Sequence, residues 1–134
     1  MIILDTDHLS VLRYKETQRA KKLVERMEKS KEKPLATTIV NVEEAMRGWM
    51  ATLAKERLVE RQISAYRELA ELFEFFSGYS IVLWDAKSSL LFNGFRRSGV
   101  RIGTRDLKTA SIAFANDATL LTANRRDFEK KYPV

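Results

Sequence analysis

The chain reads as an α/β protein with a short parallel sheet covered by helices on both faces, and three observations carry that reading. Four short apolar or β-branched runs, at Ile2 to Leu4, Leu35 to Val40, Ile81 to Trp84 and Thr119 to Thr122, have the length and composition of strands. Between them lie longer stretches whose apolar residues repeat at helical spacing. The first run is apolar without interruption, as expected of a strand buried on both faces. Strands that alternate with helices form parallel sheets, because a parallel connection needs a crossover long enough to hold a helix.

The elements follow in order. Asp5-Thr6-Asp7 stops the first strand, which places Asp5 at its C-terminal end, and a helical turn or two is expected from His8 to Tyr14. Thr17 opens a second helix with Ala20, Leu23, Val24 and Met27 as its packing stripe and Lys21, Lys22, Glu25 and Arg26 in water. The charged run Glu28 to Lys33, closed by Pro34, is a loop before the second strand. Asn41 is expected to start the next helix, with Val42, Ala45, Met46, Trp49 and Leu53 along one side, and Asn41-x-x-Glu44 has the form of a capping box.

A turn near Ala54 then leads into a long amphipathic helix from Lys55 to Phe76, with Leu58, Ile63, Tyr66, Leu69, Leu72, Phe73 and Phe76 on its apolar side. These two helices predict a hairpin. Gly78 ends the second of them, and the third strand is followed by a helix from Asp85 to Arg97. Thr104 can cap the last helix through its hydroxyl, which puts Asp106 in the first turn, where backbone N–H groups favour a carboxylate. Leu107, Ala110, Ser111 and Phe114 repeat at helical spacing, and Ile112 and Ala113 widen the apolar surface until the helix is expected to be buried.

A length of 134 residues fits one domain, taken as residues 1–134. With no cysteine, neither a disulfide nor a cysteine-based zinc site can form. The apolar start, MIIL, is far too short for a signal peptide or a membrane span, so a soluble cytoplasmic protein is expected. The 24 basic and 18 acidic residues leave a net charge of +6, which suits a polyanionic partner. No G-x-G-x-x-G follows a strand and neither G-x-x-x-x-G-K-[ST] nor G-x-S-x-G occurs, so dinucleotide binding, nucleoside-triphosphate binding and serine-hydrolase chemistry lack support. His8 is the only histidine, which excludes two-histidine zinc motifs; a packed or surface role is expected for it.

In a parallel sheet all strand C-termini share one edge, and ligands bind there. Asp5, Glu44, Asp106, and Asn124 with Asp127 all fall at element ends assigned to that edge. Each has a structural role open to it as well: Asp5 as an N-cap, Glu44 as the end of the capping box, Asp106 as a partner of the helix dipole, and Asn124 as a cap with Asp127 three residues on. Periodicity does not choose between Glu43 and Glu44. Taken jointly, clustered carboxylates repel unless a hard cation neutralises them, and Mg²⁺ takes one or two carboxylates while keeping waters for a substrate phosphate. Such a centre suits metal-assisted phosphodiester hydrolysis, with one ion or two. Arg96, Arg97, Arg101, Arg105, Arg125 and Arg126 flank the acids as a basic rim able to hold a nucleic-acid backbone.

The segments LDTDHLS at Leu4 to Ser10, TTIVNVEEAMRG at Thr37 to Gly48 and RIGTRDLKTASIAFANDATLLTANRRDF at Arg101 to Phe128 resemble, in order and over nearly the whole chain, the signatures of the PIN-domain ribonucleases, and among them the VapC-type toxins of bacterial toxin-antitoxin pairs. The resemblance implies a Rossmann-like three-layer α/β/α PIN domain, a Mg²⁺- or Mn²⁺-dependent endoribonuclease activity, and a cognate antitoxin whose C-terminal segment occupies the cleft. Asp5 matches the first metal-binding aspartate of the family, Glu44 the glutamate four residues before a glycine, and Asp106 the aspartate before the small-residue helix. Asn124 falls where many members carry a further aspartate and others an asparagine, and Thr122 matches the threonine ending the last core strand.

The expected site therefore has Asp5 and Asp106 as metal ligands, Glu44 as a ligand or orienter of bound water, and Asn124 as a weak or indirect ligand, with Asp127 as its alternative. Expected partners are an RNA substrate, the antitoxin and a second copy in a homodimer. The rival expectation, to which Asn124 points, is a catalytically silent PIN-like module that binds nucleic acid or a partner protein through the same basic rim.

Overall fold

The computed structural model describes residues 1–13, 18, 21–22, 24–25 and 35–121. In chain order the elements are β1 (Ile2–Leu4), α1 (Thr6–Arg13), β2 (Leu35–Thr38), α2 (Ile39–Lys55), a single 3₁₀ turn at Val59–Arg61, α3 (Ile63–Phe76), β3 (Ser80–Val82), α4 (Ala86–Arg97), α5 (Thr104–Ala115) and β4 (Thr119–Leu121). The strands form one parallel sheet in the order β3-β2-β1-β4, with Ile2 beside both Leu35 and Thr119 and Leu4 beside Leu121. From β1 the chain steps outward to β2 and β3, then returns to lay β4 on the other side of β1. The strand order thus reverses between β1 and β4, where open α/β sheets bind their ligands.

The pleat of β1 assigns the two helical layers. Ile2 and Leu4 pack with Leu9 and Leu12 of α1, Val42 of α2, and Leu72 and Phe76 of α3. Ile3 points the other way and packs with Ala36, Val40, Ile112 and Ala113, which brings α5 onto the opposite face. This is the three-layer α/β/α architecture that the sequence predicts, with a strand buried on both sides at its centre. A third cluster, Val100, Ile102, Leu107 and Ala110 with Phe92 and Phe95, ties α4 to α5.

Local chemistry sets the helix ends. Asp85 caps α4 by accepting from the backbone N–H of Ser88 at 2.9 Å and from its hydroxyl at 2.7 Å, and these bonds, the backbone one first, hold the Asp85 carboxyl below the usual carboxylate range. At the far end of α4, Gly99 takes a left-handed φ of 88°, while the N–H groups of Gly99 and Val100 return to the carbonyls of Arg96 and Phe95 at 3.1 and 3.0 Å. This is a Schellman closure, completed by apolar contact between Val100 and Phe95.

Several boundaries differ from the sequence expectation. The second strand stops at Thr38, two residues early, because the Thr38 hydroxyl accepts from the Asn41 N–H at 3.1 Å and caps a helix that already begins at Ile39. Asn41 is therefore inside α2, and no Asn41-x-x-Glu44 capping box forms. The long helix expected from Lys55 to Phe76 is broken: Glu56 and Leu58 are extended, and the Gln62 side chain donates to the carbonyls of Glu56 at 2.8 Å and Leu53 at 3.3 Å, closing the corner. Of its expected apolar side, Leu72 and Phe76 are buried, but Leu58, Ile63, Tyr66 and Phe73 are exposed. β3 covers Ser80–Val82 rather than Ile81 to Trp84. Gln18, Lys21, Lys22, Val24 and Glu25 are helical, as expected, and Val24, placed in a packing stripe by its spacing, is exposed.

Candidate functional site

The C-terminal edge of β1 carries Asp5. Its backbone N–H donates to the Leu121 carbonyl at 3.1 Å, which clips the strand end onto β4 at the point where the strand order reverses. Its side-chain Oδ1 accepts from the His8 N–H at 3.1 Å and lies 2.8 Å from His8 Nδ1. Asp5 is thus the cap of α1, and that role fixes its carboxylate at the mouth of the sheet. His8 has a definite partner there, beyond the packed or surface role its isolation in the sequence suggested.

Glu44 lies inside α2, five residues after Ile39, half-buried, and its Oε2 is reached by the Thr6 hydroxyl and by Arg105 Nε, the latter at 2.7 Å. The first contact joins Glu44 to the residue after Asp5; the second joins it to the residue before Asp106. Glu43 instead faces water and pairs with Arg47 at 2.7 Å on its own helix, which separates the two neighbouring glutamates that periodicity could not. Asp106 stands half-buried in the first turn of α5, as expected, although the cap position belongs to Gly103 and not to Thr104. Thr104 is drawn aside: its hydroxyl faces Arg96 Nη2 at 3.5 Å.

Three elements therefore bring Asp5, Glu44 and Asp106 to one region of the sheet edge through Thr6 and Arg105. Among the described residues no three acidic or histidine side chains close tightly enough to hold a metal ion between them. The donors are nonetheless hard oxygens, and one or two carboxylates are what Mg²⁺ uses when waters and substrate complete its shell. In their chemistry Asp5 and Asp106 fit such an ion; Asp5 Oδ1 faces His8 Nδ1, and Glu44 is engaged by Arg105. Thr122, Asn124, Arg125, Arg126 and Asp127 lie outside the described residues.

The arginines divide into two kinds. Arg96 is committed to the α4–α5 loop, donating to the carbonyls of Val100 and Ile102 at 2.9 Å each and lying over the Phe92 ring at 5.3 Å. Arg97 and Arg101 are exposed on the same loop and its approach. Arg105 is exposed but occupied by Glu44.

Asn41, expected from the sequence to start a helix, instead sits beneath this edge, buried and bonded to the Leu4 carbonyl, with Thr37, Thr6 and Thr109 around it. The available signal was the presence of Asn41 and Thr109 within otherwise apolar helix faces, where a polar side chain is retained only if it is hydrogen-bonded.

Neither a protein-family model nor a curated protein sequence matches the chain. Solved structures do. A chain of VapBC2 from Rickettsia felis, solved with a DNA fragment from its promoter, is 26% identical and superposes with a TM-score of 0.69, covering 98% of this chain and 94% of that one. A chain of DNA-bound VapBC from Salmonella typhimurium is 19% identical with a TM-score of 0.75, covering 99% and 93%. A chain of a toxin-antitoxin complex from Klebsiella pneumoniae is 16% identical with a TM-score of 0.68, covering 96% and 90%. The resemblance to VapC-type PIN domains carried by the sequence motifs is thus shared by the fold along nearly the whole chain.

Proposed function

We propose that this chain is the toxin of a toxin-antitoxin pair and a Mg²⁺- or Mn²⁺-dependent endoribonuclease. One observation carries the reading: Asp5 stands at the reversal of strand order, and the elements bearing Glu44 and Asp106 are bonded to the same edge. The likeness to chains of toxin-antitoxin complexes supports the toxin role and a cognate antitoxin as partner. Asp5 and Asp106 hold the cation, which when bound lowers the pKa of a water and stabilises charge on the phosphoryl oxygen. Glu44 orients water at the centre. Arg97 and Arg101 bind the RNA backbone as sequence-independent phosphate contacts, and Asn124, as a weak or indirect ligand, or Asp127 completes the set of oxygen donors. The active form is a homodimer in the cytoplasm; no helix among the described residues is long and apolar enough to cross a membrane.

Removal of the metal tests the activity directly. Wild-type protein freed of antitoxin should cleave single-stranded RNA in Mg²⁺ or Mn²⁺ and stop in excess EDTA, with activity restored by added Mg²⁺. Cleavage that persists in EDTA rules out the metal mechanism. The second reading, a catalytically silent module, draws on the Arg105–Glu44 pair, which places a cation on the acid edge already; RNA binding without cleavage at any metal concentration would establish it.

Arg105 yields a separate expectation. A half-exposed ion pair of this kind contributes up to about 1 kcal/mol, so Arg105→Gln should tighten Mn²⁺ binding by up to about 5-fold by releasing Glu44 from a competing cation. Calorimetric titration of Mn²⁺ into both proteins measures it. Weaker binding in the variant would show that Arg105 supports the centre instead of opposing the ion.

A further inference from the structure

Asn41 is 2% exposed at the junction of five elements, β1, α1, β2, α2 and α5. Its amide nitrogen donates to the Leu4 carbonyl at 2.9 Å and to the Thr37 hydroxyl at 3.2 Å, and Thr37 itself donates to the same carbonyl at 3.1 Å. The amide oxygen lies 3.2 Å from the Thr6 hydroxyl and 3.4 Å from the Thr109 hydroxyl. The reverse orientation of the amide would set two carbonyl oxygens against each other, so the hydrogen-bond pattern itself fixes which end faces Leu4. An apolar residue at position 41 would serve the core without needing these partners; a buried amide is tolerated only because every one is present.

The partners are not scattered. Leu4 precedes Asp5 and Thr6 follows it; Thr109 is one turn beyond Asp106 on α5; Asn41 itself is three residues before Glu44 on α2. The Thr6 hydroxyl has a single hydrogen and two acceptors within reach, Glu44 and Asn41. The charged acceptor takes it more strongly, which leaves Thr109 to serve the Asn41 oxygen.

We propose that Asn41 is the positioning residue of the acid centre: its amide locks the end of β1, the start of α2 and the first turns of α5 into one register, and so sets the relative placement of Asp5, Glu44 and Asp106. The role rests on the preceding reading that Asp5 and Asp106 hold a divalent cation and Glu44 orients water beside it. Residues acting through a ligand's neighbours in this way typically change metal affinity by about 10- to 100-fold.

The test is calorimetric titration of Mn²⁺ into wild type, Asn41→Ala and Thr109→Val, beside urea unfolding of each in the absence of metal. Asn41→Ala should raise the Mn²⁺ dissociation constant by about 10- to 100-fold, and Thr109→Val, which keeps the side-chain volume and the Leu4 bond, by up to about 10-fold, with its unfolding midpoint lowered by the donor that the Asn41 oxygen loses but the fold retained. If Asn41→Ala does not fold, Thr109→Val alone decides. Folded variants that bind Mn²⁺ as wild type does overturn the role of Asn41 and leave the metal centre standing. A wild type that binds no Mn²⁺ overturns both.

Discussion

Asp5→Asn and Asp106→Asn are each expected to lower Mg²⁺-dependent RNA cleavage by at least about 100-fold, the upper end of what an outer partner of a metal ligand costs, while leaving the fold intact. Asparagine caps a helix as well as aspartate does, so the His8 N–H, which Asp5 Oδ1 receives at 3.1 Å, keeps its acceptor in the variant. At Asp106 the loss is one charge beside a helix N-terminus, worth about 0.3–1 kcal/mol. The chemistry suffers far more, because an amide brings an oxygen without the negative charge that favours a hard cation. Asp7→Asn is the matched control: Asp7 is exposed, two residues from Asp5 and in the first turn of the same helix, and should cleave at the wild-type rate. Initial rates on a single-stranded RNA, with circular dichroism of each variant, check the prediction. A wild-type rate in either Asp5→Asn or Asp106→Asn would falsify the assignment of that residue.

Ile112→Ala is expected to destabilise the protein by about 2–5 kcal/mol, out of a total for such proteins of about 5–15 kcal/mol. Ile112 is fully buried and packs α5 against Ile3 and Ala36 of the sheet. Truncation leaves a cavity bounded by β1, which is buried on its other face and has little room to collapse into the gap. The contrast is with Ile63 and Phe73 on α3, which are 58% and 64% exposed, and whose replacement by alanine should fall within about 0.5 kcal/mol of wild type. Urea midpoints at constant slope measure all three. A cost under about 1 kcal/mol at Ile112 would mean that α5 is not packed on the sheet as described.

That contrast also marks a limit of periodicity. Ile63, Tyr66, Leu69, Leu72, Phe73 and Phe76 form a plausible apolar side when the spacing is read along one helix. The run is interrupted at Glu56 to Leu58, and it is Leu69, Leu72, Phe75 and Phe76 of α3 that reach the β1 face. Similarly, Leu35 to Val40 reads as one β-branched run. Whether Ile39 and Val40 continue the strand or begin the helix depends on the Thr38 hydroxyl finding the Asn41 N–H, a bond between residues of equal local standing in the sequence.

By itself the sequence determined the layered architecture and the edge to which Asp5 belongs. Short apolar runs separated by helical stretches leave few alternatives to a covered parallel sheet, and a parallel sheet puts every strand's C-terminal end, and so Asp5, on one side. It also placed Asp106 in the opening turn of a buried helix. Tertiary structure alone decided the partners: that Arg96 braces a loop while Arg97 and Arg101 stay exposed, that Arg105 lies on Glu44, and that Asn41 joins Leu4, Thr6, Thr37 and Thr109. The reason is range. Burial patterns repeat along the chain and can be read there, whereas a hydrogen bond between residues 35 or 68 positions apart, as Asn41 makes with Thr6 and Thr109, depends on distances that exist only once the sheet and its two helical layers have assembled.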